Sequence, residues 1–358
     1  MAPTRPPRTR TERHVVTFNS IPTIDVTALV AEDPVGRRDV IDELGRAARE
    51  VGFVQIVGHG IDPESFAALE DAAKRFFAQP DDAKMKVYIG NSTNHRGYVP
   101  AGEEVFAGAT PDHKEAYDLS IDLPADDPDY LGGNPLLGPN QWPDLDGFAE
   151  PVSKYYDEVF SLGRVLLRAF AESLGEPSDL FDRHVTTPPA QLRLIHYPHD
   201  PSAADRPGIG AHTDYEVFTL LRPTAPGLEV VNAEGTWIDV PYTEDAFVLN
   251  IGDLLEIWTN GEFTATSHRV RKVSHERYSF PLFFNVDYNT WVEPLTQFVG
   301  AGGPRYDGVR AGDHLFAQTA QSFTYLQRRL ASGEITLPDN ARPLYSLGRE
   351  AQRSAPAV

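Results

Sequence analysis

The stretch GIGAHTDYEVFTLL, residues 208–221, decides how the chain reads. Its centre is His212-Thr213-Asp214. Side chains alternate across a strand, so a strand here sends His212 and Asp214 to the same side. An imidazole and a carboxylate are then aimed at one point. A third ligand is available in FTATSHRVRKV, where His268 sits in another strand-like run. Two histidines and one carboxylate on one face of an iron(II) ion leave the opposite face open to other ligands. An H-x-D pair alone is a common surface pair. The sequence after His268 gives it weight. In SHERYSFPLFFNVD, Arg277 and Ser279 share a strand face. A guanidinium beside a hydroxyl is a good receptor for a carboxylate, because its planar fork offers two parallel charge-assisted hydrogen bonds.

The chain has 358 residues, is 41 % hydrophobic and carries a formal net charge of −20. That composition suits a globular protein with a sizeable core. The negative field repels phosphate backbones, so nucleic acid is not an expected partner. The basic piece is the N-terminal arm, residues 1–14, with Arg5, Arg8, Arg10 and Arg13 among Pro and Thr. With almost nothing apolar to bury, it reads as a disordered leader. There are no cysteines, which excludes disulfides and thiolate metal sites and leaves His and carboxylate as ligands. No apolar targeting segment or bilayer-length run is present, so a cytoplasmic location without membrane contact is expected.

Along the chain, Val15 to Val26 reads as extended. Residues 35–51 have helical spacing in Val40, Leu44, Ala47, Ala48 and Val51, closed by Gly52. A strand over FVQIVGHGI follows, and Asp62-Pro63 opens a second helix. His59, flanked by glycines, reads as a turn residue. Residues 80–150 are rich in Gly, Pro, Asn and Asp and read as binding loops containing Arg96 and Tyr98. A long helix spans 151–175. From 191 to about 292 the period changes to two, with many short strands, which predicts a sandwich or barrel. Asp313 is placed to cap a helix over about 313–331, and the chain from Ala341 looks irregular. Asp253 reads as a turn residue. His196 and His199 with Asp200 form a rival metal cluster, but Pro198 interrupts their shared face. His275 could share a face with Arg277 but is given no role.

The ordered set IPTIDVTAL, GFVQIVGHGID, RLIHYP, AHTDYEVFTLL, GTWIDVP, VLNIGDLLEIWTNGEFTATSHRV and RYSFPLFF resembles the isopenicillin N synthase-like branch of the iron(II)/2-oxoglutarate dioxygenases. The resemblance implies an α+β fold. A double-stranded β-helix (jelly-roll) region over 151–358 is flanked by helices and preceded by an α/β region over 15–150. It implies iron(II) held by His212, Asp214 and His268. It implies 2-oxoglutarate chelating the iron, its far carboxylate on Arg277 with Ser279 and Tyr197, and dioxygen as co-reactant. Arg96, Tyr98, Phe283 and Asn285 would hold a small-molecule substrate, which is oxidised, most simply hydroxylated, with release of succinate and carbon dioxide. Isopenicillin N synthase keeps an R-x-S pair without using 2-oxoglutarate, so a ring- or double-bond-forming oxidase remains the alternative. A jelly-roll protein that binds without turnover is the third reading, and it has no need of His212, Asp214, His268 and Arg277 together. The sequence does not address oligomeric state.

Overall fold

A computed structural model describes residues 17–105, 114–199, 209–271 and 275–342. The arginines of the N-terminal arm and the tail beyond Arg342 lie outside the described residues. In chain order, β1 (Thr23–Asp25) leads through α1 (Thr27–Val30) and α2 (Arg37–Glu50) to β2 (Phe53–Val57). Then come α3 (Pro63–Phe77), α4 (Asp81–Lys84), β3 (Gly97–Val99), β4 (Glu115–Ser120), α5 (Pro128–Leu131) and α6 (Ala149–Ser173). The strand-rich part holds β5 (Gln191–Tyr197), β6 (Ile209–His212), β7 (Phe218–Pro223), β8 (Leu228–Val231), β9 (Trp237–Asp239) and β10 (Phe247–Ile251). After α7 (Asp253–Trp258) follow β11 (His268–Val270), β12 (Arg277–Phe284), β13 (Trp291–Val292) and β14 (Val309–Arg310). The last helices are α8 (Ala311–Ser322) and α9 (Thr324–Ser332).

Eight strands form the major sheet in the order β1-β2-β10-β7-β12-β5-β4-β3, and four form the minor sheet, β6-β11-β8-β9. Apart from the parallel pair β1·β2, neighbours in both sheets are antiparallel. Period two in the sequence decides which side each residue takes. On β5, β7 and β12, Leu192, Leu194, Phe218, Leu220, Phe280, Leu282 and Phe284 join the core under the helices. Ile195 and Tyr197 instead join a second cluster with Ile209, Leu228, Val230 and Val270 from the minor sheet. The two sheets thus face each other in the jelly-roll arrangement.

Helix α6 covers the outer face through Val152, Tyr155, Val159, Leu162, Leu166 and Phe170, all buried. Each such side chain contributes about 1.5–3 kcal/mol by leaving water. Gly163 lets the helix approach: a Cβ there would stand 2.3 Å from the Phe284 ring.

Three expectations need correction. Residues 80–150 are not all loop, because β3 and β4 extend the major sheet. The strand EAYDLS was masked by its charge. Asp118 is fully buried and pairs in register with Arg193, so an ion pair sits where an apolar pair was sought. The C-terminal helix is two helices. Phe323 is extended (φ −95°, ψ 127°), and Glu103, from far upstream, accepts the Tyr325 N–H at 2.7 Å. Asp313 does not cap: it lies in the first turn of α8 and accepts from the Tyr288 hydroxyl at 3.1 Å.

Candidate active site

His268 and His212 are register partners on the adjacent strands β11 and β6. Their ring centroids are 4.2 Å apart. The strand β6 ends at His212, so Asp214 does not reach the same side by strand alternation, as the sequence suggested. It lies in the turn beyond. That turn is held from below by the start of α7: the Asp253 N–H donates to the Asp214 carbonyl at 2.9 Å and the Leu254 N–H to that of Glu216 at 3.0 Å. These donors are among those a helix leaves unsatisfied at its first turn. Gly252 permits the approach, since a Cβ there would meet the Glu216 carbonyl oxygen at 2.3 Å. Asp253 is therefore no surface turn residue. It is buried and pairs with His314 of α8 at 3.2 Å.

The result is a three-point donor set. Asp214 Oδ1 lies 3.5 Å from His212 Nε2 and 3.5 Å from His268 Nε2. Candidate ligand atoms of the three residues all fall within 4.8 Å of one another, the one such metal-competent group among the described residues. Each imidazole is oriented from behind. Nδ1 of His212 lies 2.8 Å from the Gly210 carbonyl and Nδ1 of His268 lies 3.2 Å from that of Thr266. A carbonyl accepts only from a protonated Nδ1, so both Nε2 lone pairs point inward. The other carboxylate oxygen, Asp214 Oδ2, accepts from the Asn250 amide at 2.7 Å and from the Thr219 hydroxyl. Asn250 and Thr219 are themselves register partners on β10 and β7. Sequence reasoning passed over both. The signal was present: each is a lone polar residue inside an apolar strand.

Burial opposes charge on His212, but the hydrogen bond and charge of Asp214 outweigh it and raise the imidazole above its ordinary value. Burial likewise opposes Asp214, yet the two imidazoles hold it well below the usual carboxylate range. Glu216 has no such cationic partner among the described residues. Burial, then the Asp214 charge, push it up to about 8, so it is mostly protonated at neutral pH and adds little negative charge beside the triad.

The triad opens into a cavity lined in part by one face of each of three strands: Gln191, Arg193, Ile195 and Tyr197 of β5, Thr219 and Leu221 of β7, Ser279, Pro281 and Phe283 of β12. Arg277 is fully buried behind this lining, with its guanidinium carbon 4.9 Å from the centroid of the Tyr197 ring. Its Nε donates to the Ala225 carbonyl at 3.2 Å. Nη1 and Nη2 have no hydrogen-bond partner among the described residues. A buried cation with two unmet donors is costly unless a ligand supplies acceptors.

The expected substrate residues divide. Phe283 lines the cavity; Arg96, Tyr98 and Asn285 do not. Arg96 is fully buried, and its guanidinium is spent on the carbonyls of Asn94, His95 and Leu136. Tyr98 donates to Glu115 at 2.6 Å. The Asn285 side chain accepts from the Val286 N–H at 2.8 Å, away from the lining. The rival histidines form no centre among the described residues, and Asp200 lies outside them. His196 sits between Glu115 and Glu276, His199 and His275 are exposed, and His59 binds the Asp245 carbonyl at 3.1 Å. In place of Arg96 and Tyr98 the cavity lining has His95, Glu104, Lys114 and Arg193. Arg193 could have been found, since it shares the period-two face of Ile195 and Tyr197.

Two histidines and a carboxylate converging in a jelly-roll mouth, with a buried cation beyond them, define a non-haem iron oxygenase site. The profile of the 2OG-Fe(II) oxygenase superfamily matches residues 188–286, and that of the non-haem dioxygenase N-terminal region, described from morphine synthesis, matches residues 21–145. The 2-oxoglutarate-dependent dioxygenase tropC of Talaromyces stipitatus is 33 % identical over 84 % of this chain and 95 % of its own. A solved 2OG-Fe(II) oxygenase family protein of Caulobacter crescentus superposes with a TM-score of 0.74 at 31 % identity, over 88 % of this chain and 99 % of that one. A Neurospora crassa protein solved with alpha-KG and thymine gives a TM-score of 0.72 at 26 % identity, over 87 % and 97 %. The chain belongs to the 2-oxoglutarate/iron(II) oxygenase superfamily, and its cofactors are iron(II), 2-oxoglutarate and dioxygen.

Proposed function

We propose that the protein hydroxylates a small molecule, with His212 Nε2, Asp214 Oδ1 and His268 Nε2 holding the iron and Arg277 holding the far carboxylate of 2-oxoglutarate. The observation that carries this reading is the buried Arg277 guanidinium, with Nη1 and Nη2 unmatched, packed against Tyr197, which lines the same cavity as the donor triad. A dicarboxylate spanning the two would satisfy both. Dioxygen is the oxidant: with iron(II) and 2-oxoglutarate bound, one of its oxygen atoms would go to the decarboxylating 2-oxo acid, released as succinate and carbon dioxide, and the other to the substrate.

The chain's own groups do the rest. Gly210 and Thr266 fix the imidazole tautomers through their carbonyls. Asn250 and Thr219 occupy Asp214 Oδ2 and so present Oδ1 as a single ligand atom. Tyr197 packs on Arg277, and Ser279, whose hydroxyl makes no hydrogen bond among the described residues, adds a donor for the carboxylate. Ile195, Leu221 and Leu228 keep the cavity dry. Phe283 supplies apolar contact to the substrate.

The oxidase alternative needs no carboxylate on Arg277, which would leave its buried donors unmet. Two measurements separate the readings: the visible chelate band on adding 2-oxoglutarate to the iron(II) protein, and succinate released with substrate. No band and no succinate would favour the oxidase. No helix of the described residues is long and apolar enough to cross a membrane. With no cysteine and a net charge of −20, we read the protein as cytoplasmic, with neither nucleic acid nor membrane as a partner.

A further inference from the structure

We propose that Glu104 selects the substrate, by accepting a hydrogen bond from an N–H or O–H head group of an otherwise apolar small molecule. This rests on reading the part of the cavity lined by Glu104 as the substrate side of an iron/2-oxoglutarate centre.

Glu104 lines the cavity and is 8 % exposed. Both of its protein contacts go to one oxygen. Oε2 lies 2.9 Å from Lys114 Nζ and accepts from Arg193 Nη1 at 3.0 Å. Oε1 accepts no hydrogen bond among the described residues. Arg193 cannot swing across to serve it, because Asp118 holds its Nε and Nη2 at 2.7 and 2.8 Å and its guanidinium lies over the Phe323 ring. The carboxylate is anionic at any physiological pH, drawn down to about 2 by Arg193 and Lys114 against the effect of burial. It lines the same cavity as His212.

A half-satisfied buried carboxylate is a recognition element waiting for a donor. A substrate donor completes Oε1. An apolar group leaves it unmet, and a second carboxylate is repelled. The neighbouring lining, Leu315, Phe283 and Phe323, is apolar or aromatic and suits the rest of such a molecule. Lys114, Arg193, Glu104 and Asp118 sum to zero charge, so the wall reads hydrogen bonding rather than net charge. An amine and an alcohol share the required chemistry.

The test uses the full chain loaded with iron(II) and 2-oxoglutarate. The probes are phenethylamine and phenethyl alcohol against ethylbenzene and phenylacetate. Binding is read from the change each causes in the visible chelate band. The two donor-bearing probes should bind at least tenfold more tightly than the other two. In Glu104→Gln that preference should fall at least fivefold, more for the amine than for the alcohol, while the band formed by 2-oxoglutarate alone is retained. If Glu104→Gln does not fold, Glu104→Asp serves: it keeps the charge and withdraws the carboxylate by one methylene, and the preference should again fall. Equal or tighter binding of phenylacetate or ethylbenzene overturns the inference. So does a donor preference that survives in the variant, or failure of both donors to bind at millimolar concentration. Absence of the band without any probe would overturn the cofactor reading itself, and this inference with it.

Discussion

The triad and Arg277 are built to take a partner from outside the chain, whereas the charged groups around Glu104 have mostly found one within it. Arg277 has two bare nitrogens and the triad three converging donors. Arg193, by contrast, is bonded by Asp118 and Glu104, and Glu104 by Arg193 and Lys114. The first arrangement is expensive when empty and binds what completes it. The second is nearly closed and leaves one oxygen for discrimination. Chemistry should therefore fail outright when the triad or Arg277 is damaged, while damage around Glu104 should change selectivity and fold stability.

The largest effect is expected from Asp214→Ala. Two imidazoles alone do not hold iron(II) firmly, and iron content measured after dialysis should fall to background. Stoichiometric iron with full activity would remove Asp214 from the triad. Next comes Arg277→Leu, which deletes charge-assisted bonds of about 1.5–3 kcal/mol. The apparent KM for 2-oxoglutarate should rise roughly ten- to hundredfold, with less change in kcat at saturation. An unchanged KM would put the anchor elsewhere. Asn250→Ala leaves all three ligands in place but frees Asp214 Oδ2. Loss of such an outer partner costs about 10–100-fold in metal affinity, so iron should bind more weakly in a variant that melts normally.

Around Glu104 the expected signature is acid sensitivity. The Glu104 carboxyl is lowered in the fold from its ordinary 4.5 to about 2. A lowered carboxyl stabilises the fold above its unfolded value and loses that contribution as pH falls through the folded one. The shift corresponds to roughly 3 kcal/mol, lost between about pH 4.5 and 2. Denaturant melts should show a shallower acid slope in Glu104→Gln than in the parent. Identical slopes would mean that the carboxylate is not held by Lys114 and Arg193.

The same contrast explains what the sequence disclosed. His212, His268, Arg277 and Ser279 stand in short β-rich runs whose period is visible, and their roles need only one strand neighbour each. The Asp214 turn was not visible, because its position depends on backbone contacts from Gly252 to Leu254, some forty residues on. Glu104, Lys114, Asp118 and Arg193 were missed for a different reason. Each reads as a solvated charge, and only pairing across β4 and β5 turns them into an interior wall. The break at Phe323 was hidden likewise, because what stops α8 and restarts α9 is Glu103, more than two hundred positions away.

Arg96 gives the smallest expected effect on chemistry and the sharpest check on where the cavity wall ends. Its place in a segment rich in Gly, Pro, Asn and Asp, together with the family resemblance, suggested a substrate contact, but its guanidinium faces three backbone carbonyls and is not part of the lining. Burial draws it down to about 10, with no carboxylate bonded to it among the described residues, so its work is to tie residues 94–96 to the turn at Leu136. Arg96→Met keeps the volume and removes those bonds, leaving carbonyls unmet at about 1–3 kcal/mol each. The melting temperature should drop by several degrees, as a loss of that size implies. The KM values for 2-oxoglutarate and for substrate should stay within about twofold, since the variant changes no group that either ligand touches. A tenfold rise in substrate KM at an unchanged melting temperature would move the boundary of the site to include Arg96 and return the loop to the role its sequence suggested.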